Sequence, residues 1–221
     1  MLVNGARLVG DPSGALWWPE HRALILADLH LEKGSGIAAR GAGLLPPYDT
    51  RATLCAIEAL FRRYRPAMLI SLGDSFHDRG ATARLGHEDS HRLRRLTAAT
   101  DWIWIEGNHD PEPPAGVGGR ALGEIALGPL VFRHQATGGP AGEVSGHLHP
   151  KAAVRVRGRR LTRRCFVTNG ARLVLPAFGA YTGGLCVLDP AFKPLFRHGF
   201  HAWMLGEEQL YPVPSSRLEP I

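Results

Sequence analysis

The run Ala23-Leu24-Ile25-Leu26-Ala27-Asp28-Leu29-His30 holds five apolar residues in succession and turns polar at Asp28. A short apolar run without alternation reads as a strand buried on both faces, and its abrupt end reads as a polar loop. The pattern recurs: Met68 to Leu72 runs into Gly73-Asp74, and Trp102 to Ile105 runs into Gly107-Asn108-His109-Asp110. Between the runs, Leu54, Ile57, Phe61 and Tyr64 recur at helical spacing, predicting a helix from Asp49 or Thr50 that ends before Pro66. A second helix is expected around Glu88 to Ala99. Strand and helix in alternation define an α/β half.

Upstream of the first run, Ala6 to Val9 and Ala15 to Trp18 flank the turn Asp11-Pro12-Ser13-Gly14 and predict a hairpin. Gly34, Gly36, Gly41, Gly43, Pro46 and Pro47 predict an irregular stretch. After Pro111 the period becomes strand-like, with Leu130 to Phe132, Val154 to Val156, Cys165 to Thr168 and Leu185 to Leu188 as candidates. Two sheets packed face to face with helices outside would bury both kinds of strand. No interior linker divides the chain, so residues 1–221 are expected to form one domain. Its tail, about residues 205–221 with Pro212, Pro214 and Pro220, is expected to be a surface extension.

At 221 residues and 44% apolar composition the chain can fill a core without disulfides. Cys55, Cys165 and Cys186 have no metal-knuckle or redox spacing and are expected to be free thiols. No apolar run approaches a membrane span and no leader pattern is present, so a cytoplasmic, non-membrane protein is expected. The net charge is +6, carried by 23 arginines and 3 lysines. Between Val144 and Leu188 there are eight basic residues and no Asp or Glu.

The chemistry sits where the buried strands end. Asp28-Leu29-His30, Gly73-Asp74 and Gly107-Asn108-His109-Asp110 lie at carboxyl ends of strands, where α/β sheets bind ligands. His134 and Gly146-His147-Leu148-His149 follow in the β half, and alternate residues of an extended chain put both imidazoles of the latter on one side. Each piece alone is common; the ordered set is not. Carboxylate, amide and imidazole donors together suit Mn²⁺, Fe or Zn²⁺ better than Mg²⁺ or Ca²⁺. Glycine before Asp74, Asn108 and His147 is expected to let the backbone approach the ions.

In its motifs the stretch Ala23 to His149 resembles the calcineurin-like metallophosphoesterases. The resemblance implies a four-layer α/β/β/α sandwich and two metal ions. Asp28, His30, Asp74 and His149 would hold one, and Asp74, Asn108, His134 and His147 the other, with Asp74 as the bridge. Two such ions, about 3.5–4 Å apart, lower the pKa of a shared water and clamp the attacking and leaving oxygens. His109, beside a ligand but outside the ligand pattern, is the candidate proton donor, with Asp110 orienting its ring. His77 is a candidate neighbour of the ligands or contact to the substrate. Gly73 to Gly80 resembles the protein-phosphatase G-D-x-V-D-R-G motif with one extra residue, which leaves Arg79 without an assured phosphatase role.

A closer resemblance lies in Ala27 to Gly34, Gly73 to Asp78, Ser145 to Pro150 and Leu175-Pro176-Ala177-Phe178-Gly179. These are similar to the bacterial ligase-associated DNA-repair metallophosphoesterases, the PdeM-like family. That family implies a Mn²⁺-dependent phosphodiesterase or endonuclease acting on DNA, alongside an ATP-dependent DNA ligase, a helicase and an exonuclease. Independent support for DNA lies in Arg155, Arg157, Arg159 and Arg160. If Val154 and Val156 face the core, the arginines form a strip able to follow a phosphate backbone. A small-molecule phosphodiesterase or nucleotide-sugar pyrophosphohydrolase on the same site is the other enzymatic reading, and a scaffold without turnover the non-enzymatic one.

Overall fold

The computed structural model describes residues 1–43, 45–111 and 116–221. The three apolar runs are strands Ala23–Leu26, Met68–Leu72 and Asp101–Ile105, parallel neighbours in a six-stranded sheet. Val9–Gly10 and Leu16–Trp18 extend it on one side and Arg120–Leu122 on the other. Alternation along each run divides its side chains between two cores. Leu24, Leu26, Leu69, Trp102 and Trp104 face the helices Asp49–Tyr64 and His87–Ala98, meeting Leu54, Ile57, Leu60, Leu93 and Leu96. Ala23, Ile25, Ile70, Leu72, Ile103 and Ile105 face the second sheet, meeting Leu130, Phe132, Val144, Phe166 and Leu173. Every one of these is buried, and a fully buried Leu or Ile stabilises by about 1.5–3 kcal/mol.

The second sheet has nine strands, and Pro190–Phe192 with Leu195 and Phe196 covers its outer face. The four layers are therefore helix, sheet, sheet, and an outer layer reduced to one 3-10 turn with its flanking segment. Among the described residues no helix is long and apolar enough to cross a membrane.

Three local expectations change. The opening hairpin pairs Val9–Gly10 with Leu16–Trp18, while Ala6–Arg7 turns back onto Leu2–Val3. Residues Lys33–Ala39 form a helix despite two glycines, because those glycines serve close packing. A Cβ on Gly36 would stand 2.8 Å from the His77 ring, and one on Gly34 3.0 Å from Asp49. The helix begins at Asp49, as the spacing predicts. The Asp49 and Thr50 side chains serve the Glu32 to Gly34 loop, accepting from the amides of Gly34 (2.9 Å) and Glu32 (2.8 Å). The tail is not a loose extension: Leu210–Pro214 pairs with His201–Leu205. It is an edge strand, where prolines such as Pro212 and Pro214 cost little.

Candidate metal centre

The loops that end the strands are fastened to one another before any side chain acts. His30 N donates to Asp74 O, Leu31 N to Ser75 O and His77 N to Leu31 O, each at 2.9 Å, so the first two motifs continue the sheet's pairing past its edge. Phe178 N donates to Ala27 O at 2.8 Å and Gly179 N to Asp28 O at 3.2 Å. The Leu175 to Gly179 motif thus fixes the backbone that carries Asp28. Asp28, His30, Asp74, His147 and His149 all have positive φ, between 44° and 68°. Non-glycine residues rarely adopt this region, and such strain concentrates at functional sites.

The motif glycines make room for neighbouring protein groups. A Cβ on Gly73 would meet the His134 ring at 2.5 Å, one on Gly107 Asp74 Oδ1 at 2.4 Å, and one on Gly146 Asp28 Oδ2 at 2.6 Å. Each glycine of one motif lies against a polar side chain from another.

The ligand candidates gather into two groups, Asp28, His30 and His149, and Asp74, His134 and His147, with the donor atoms of each group within 4.8 Å of one another. Asn108 joins the second, its Oδ1 2.9 Å from His134 Nε2. Asp74 stands between them. Its Oδ1 accepts from His109 N at 2.9 Å, while Oδ2 lies 3.5 Å from His134 Nε2 and 3.9 Å from His30 Nε2. Oδ2 is thus the Asp74 oxygen left facing both groups.

Donor chemistry tests whether cations fit. His134 Nδ1 lies 2.8 Å from the carbonyl of Leu72, which can only accept, so Nδ1 carries the proton and a neutral ring presents its lone pair at Nε2. That lone pair faces two oxygen acceptors, Asn108 Oδ1 and Asp74 Oδ2, with His147 Nδ1 3.0 Å away. Acceptors converging on acceptors fit a cation in their midst. Burial, with the added repulsion of His149, Lys33, His109 and His77, pushes His30 down to about 2 and keeps it a neutral donor. Burial first and then His134 lower His147 as well.

His109 is partly exposed at the rim, its Nε2 4.0 Å from Asp74 Oδ2. Its Nδ1 lies 2.9 Å from the carbonyl of His77, and that carbonyl, not Asp110, orients the ring. Asp110 is buried and accepts from Phe76 N at 2.9 Å, holding the loop that carries Asp74. Burial raises its carboxyl to about 7 against the opposing pull of that amide, and the nearby Asp74 adds to the rise. His77 is buried with its ring stacked on His109, centroids 5.6 Å apart, and burial followed by Lys33 and Arg40 lowers its pKa. Arg79 is exposed, and Arg84 instead grips Asp78 with one nitrogen on both oxygens, at 2.8 and 2.9 Å.

The expected arginine strip is divided. Register puts Arg155 and Arg160 on one face of the hairpin Pro150–Val156 and Arg159–Thr168, and Arg159 on the other beside Val156. Arg155 pairs with Glu219 at 3.0 Å and Arg160 donates to the carbonyl of Pro220, so the chain terminus engages both. Val156 is 46% exposed and does not face the core.

A family model described as calcineurin-like phosphoesterase matches residues 21–175, which span every ligand candidate. The chain belongs to this family. It is accordingly a metal-dependent hydrolase of phosphate esters that uses divalent ions. The solved structure of Pseudomonas putida nuclease MPE is similar at 29% identity, covering 96% of this chain and 98% of that one, with a TM-score of 0.75. YfcE, a phosphoesterase from E. coli, is more distant: 15% identity, 86% and 97% coverage, TM-score 0.44. No curated protein matches the chain.

The site depends on residues that sequence reading passed over. Glu32 is buried at a φ of 64° and accepts from Thr50 Oγ1 at 2.8 Å and Ser35 Oγ at 2.6 Å. The only signal in the sequence is an acidic residue two positions past a ligand histidine.

Proposed function

We propose that this hydrolase is a DNA phosphodiesterase or endonuclease that works with two ions, manganese by its resemblance to the ligase-associated family, as part of bacterial DNA repair. The observation that carries the reading is similarity over almost both entire chains to a protein described as a nuclease, together with the paired donor groups. Asp28, His30 and His149 would hold one ion, Asn108, His134 and His147 the other, with Asp74 Oδ2 between them. Bound there, the ions supply a water of lowered pKa and positive charge for phosphate oxygens.

The chain's own residues do the rest. The left-handed loops hold the donors from three strand ends at fixed spacing, so little reorganisation is needed when the ester arrives. His109, with Nδ1 donating to the His77 carbonyl, presents Nε2 toward the site and, as the doubly protonated imidazolium, gives its Nε2 proton to the leaving oxygen. His77 backs it by stacking. Asp110 positions Asp74 through the loop. Arg157 and Arg159, the strip members free of the C-terminal contacts made by Arg155 and Arg160, contact distant phosphates.

The test is a screen of Mn²⁺, Mg²⁺, Zn²⁺ and Fe²⁺ against single-stranded, duplex and branched DNA, bis(p-nitrophenyl) phosphate and nucleotide sugars. Manganese-dependent scission of DNA supports the reading. Turnover confined to the small esters overturns it in favour of a small-molecule diesterase.

A further inference from the structure

One face of the second sheet is covered at one end and open at the other. Register places Ala152, Val154 and Val156 on the same side as Arg163, Leu161 and Arg159. The pairs Cys165 with Met204 and Met204 with Tyr211 carry that side across the next two strands. At one end Ala152, Cys165 and Met204 are buried with Val187, Phe192, Leu195 and Phe196. Toward the hairpin tip the same face emerges: Val156 is 46%, Leu161 40% and Tyr211 52% exposed. The result is a groove of about 860 Å³ whose apolar lining includes Val154, Val156, Leu161, Met204 and Tyr211.

The groove's charge is one-sided. Its lining includes a single acidic residue, Glu219, already paired with Arg155 at 3.0 and 3.3 Å. Arg163 and Arg217 are exposed at its border, and among the described residues neither has a carboxylate within ion-pair distance. An apolar patch bordered by uncompensated arginines is the signature of an interaction surface.

We propose that this groove docks an acidic segment of a partner protein, with apolar side chains on Val156, Leu161 and Tyr211 and carboxylates on Arg163 and Arg217. Charge complementarity selects this occupant. A second copy of the chain would bring the same arginines against each other, from a stretch with no Asp or Glu between Val144 and Leu188. A nucleic acid would match the charge but not the floor, since strand-binding grooves stack bases on successive aromatics. Among the described residues Tyr211 is the only aromatic in the lining. Val156 lies seven residues beyond His149, roughly 23 Å along the strand at about 3.3 Å per residue. The docked segment would leave the metal centre open, and the surface acts as a tether independent of which ester is cut.

Fluorescence anisotropy tests this on the full chain. One probe set is labelled peptides of about twelve residues alternating Leu or Phe with Asp or Glu; its match carries Lys in place of the acids; unlabelled oligothymidylate is the competitor. The acidic set binds and the basic set does not. Affinity falls at least about tenfold in Leu161→Asp and in Arg163→Glu, while hydrolysis of bis(p-nitrophenyl) phosphate stays at the parent rate. Tyr211→Ala, at an exposed position, replaces Leu161→Asp if that variant melts early. Equal binding of both peptide sets, or parent affinity in all variants, overturns the proposal. Displacement by the oligonucleotide also overturns it and assigns the groove to nucleic acid.

Discussion

Replacing Gly146 by alanine adds one carbon and isolates the packing on which the metal centre rests. Gly146 does not have a positive φ, so alanine is not strained by its own backbone there. The new Cβ would stand 2.6 Å from Asp28 Oδ2 and 2.9 Å from Ala27 Cβ, whereas ordinary contact begins at 3.4 Å. The carboxylate must therefore yield by about 0.8 Å, and it cannot do so freely. Its Oδ2 accepts from His147 N at 3.0 Å, and its backbone carbonyl accepts from Gly179 N. A misplacement near 1 Å costs roughly 10²-fold in rate, and overpacking costs about 1–3 kcal/mol in stability. Gly146→Ala should thus lose about 10²-fold in kcat on bis(p-nitrophenyl) phosphate. It should bind Mn²⁺ more weakly by calorimetry and melt a few degrees lower, at about 2–4 °C per kcal/mol for a chain of this size. Gly183→Ala is the control, because nothing lies within 4 Å of its Cβ and its φ is not positive. A Gly146→Ala enzyme with parental rate and metal affinity would refute the placement of Asp28 as a ligand held by this packing.

Asp74→Asn should abolish turnover and lower the content of both ions, measured by elemental analysis of the purified protein, because the oxygen between the two groups loses its charge. His109→Ala should retain both ions and lose about 10²–10⁴ in rate on DNA, with a smaller loss on a nitrophenyl ester whose leaving group needs little protonation; equal losses would make His109 a charge stabiliser instead. Replacing Arg157, Arg159 and Arg160 by Gln should flatten the salt slope of DNA binding by about 0.7–0.9 for each phosphate no longer neutralised. Arg160 alone should change it little, since the C-terminal carbonyl holds that side chain. Asp11 should mark the acid limb of stability. Burial tends to raise its carboxyl, but Tyr64 at 2.6 Å, Ser13 and Arg63 outweigh that and hold it below 3.8. A folded pKa below the unfolded one gives stability that is present above about pH 4 and lost as pH falls. Asp11→Asn should therefore lower the melting temperature at pH 7 and narrow its gap from the parent under acid, as followed by melts across pH.

Much of this protein is written locally in its sequence. A buried strand needs only its own neighbours to be apolar, so Met68 to Leu72 is legible at full length, and the Asp49–Tyr64 helix shows itself through period alone. The candidate donors Asp28, Asp74 and Asn108 stood out for the same reason: they lie where apolar runs stop. What the sequence could not show were relations across long separations. His147 N reaches Asp28 from 119 residues away, and His134 Nδ1 reaches Leu72 across 62. No periodicity encodes which oxygen of Asp74 is already occupied, that the His77 carbonyl rather than Asp110 turns His109, or that Gly146 lies against Asp28. The arginine strip failed as an inference because alternation assigns faces only within an isolated strand. Pairing across the hairpin, and Glu219 and Pro220 arriving from the chain terminus, decided which arginines are free. Residue type and local period determine which groups are candidates, because burial and backbone preference act on near neighbours. Only the packed tertiary structure determines which candidates meet, because hydrogen bonds and steric contact act over a few ångströms of space whatever the distance along the chain.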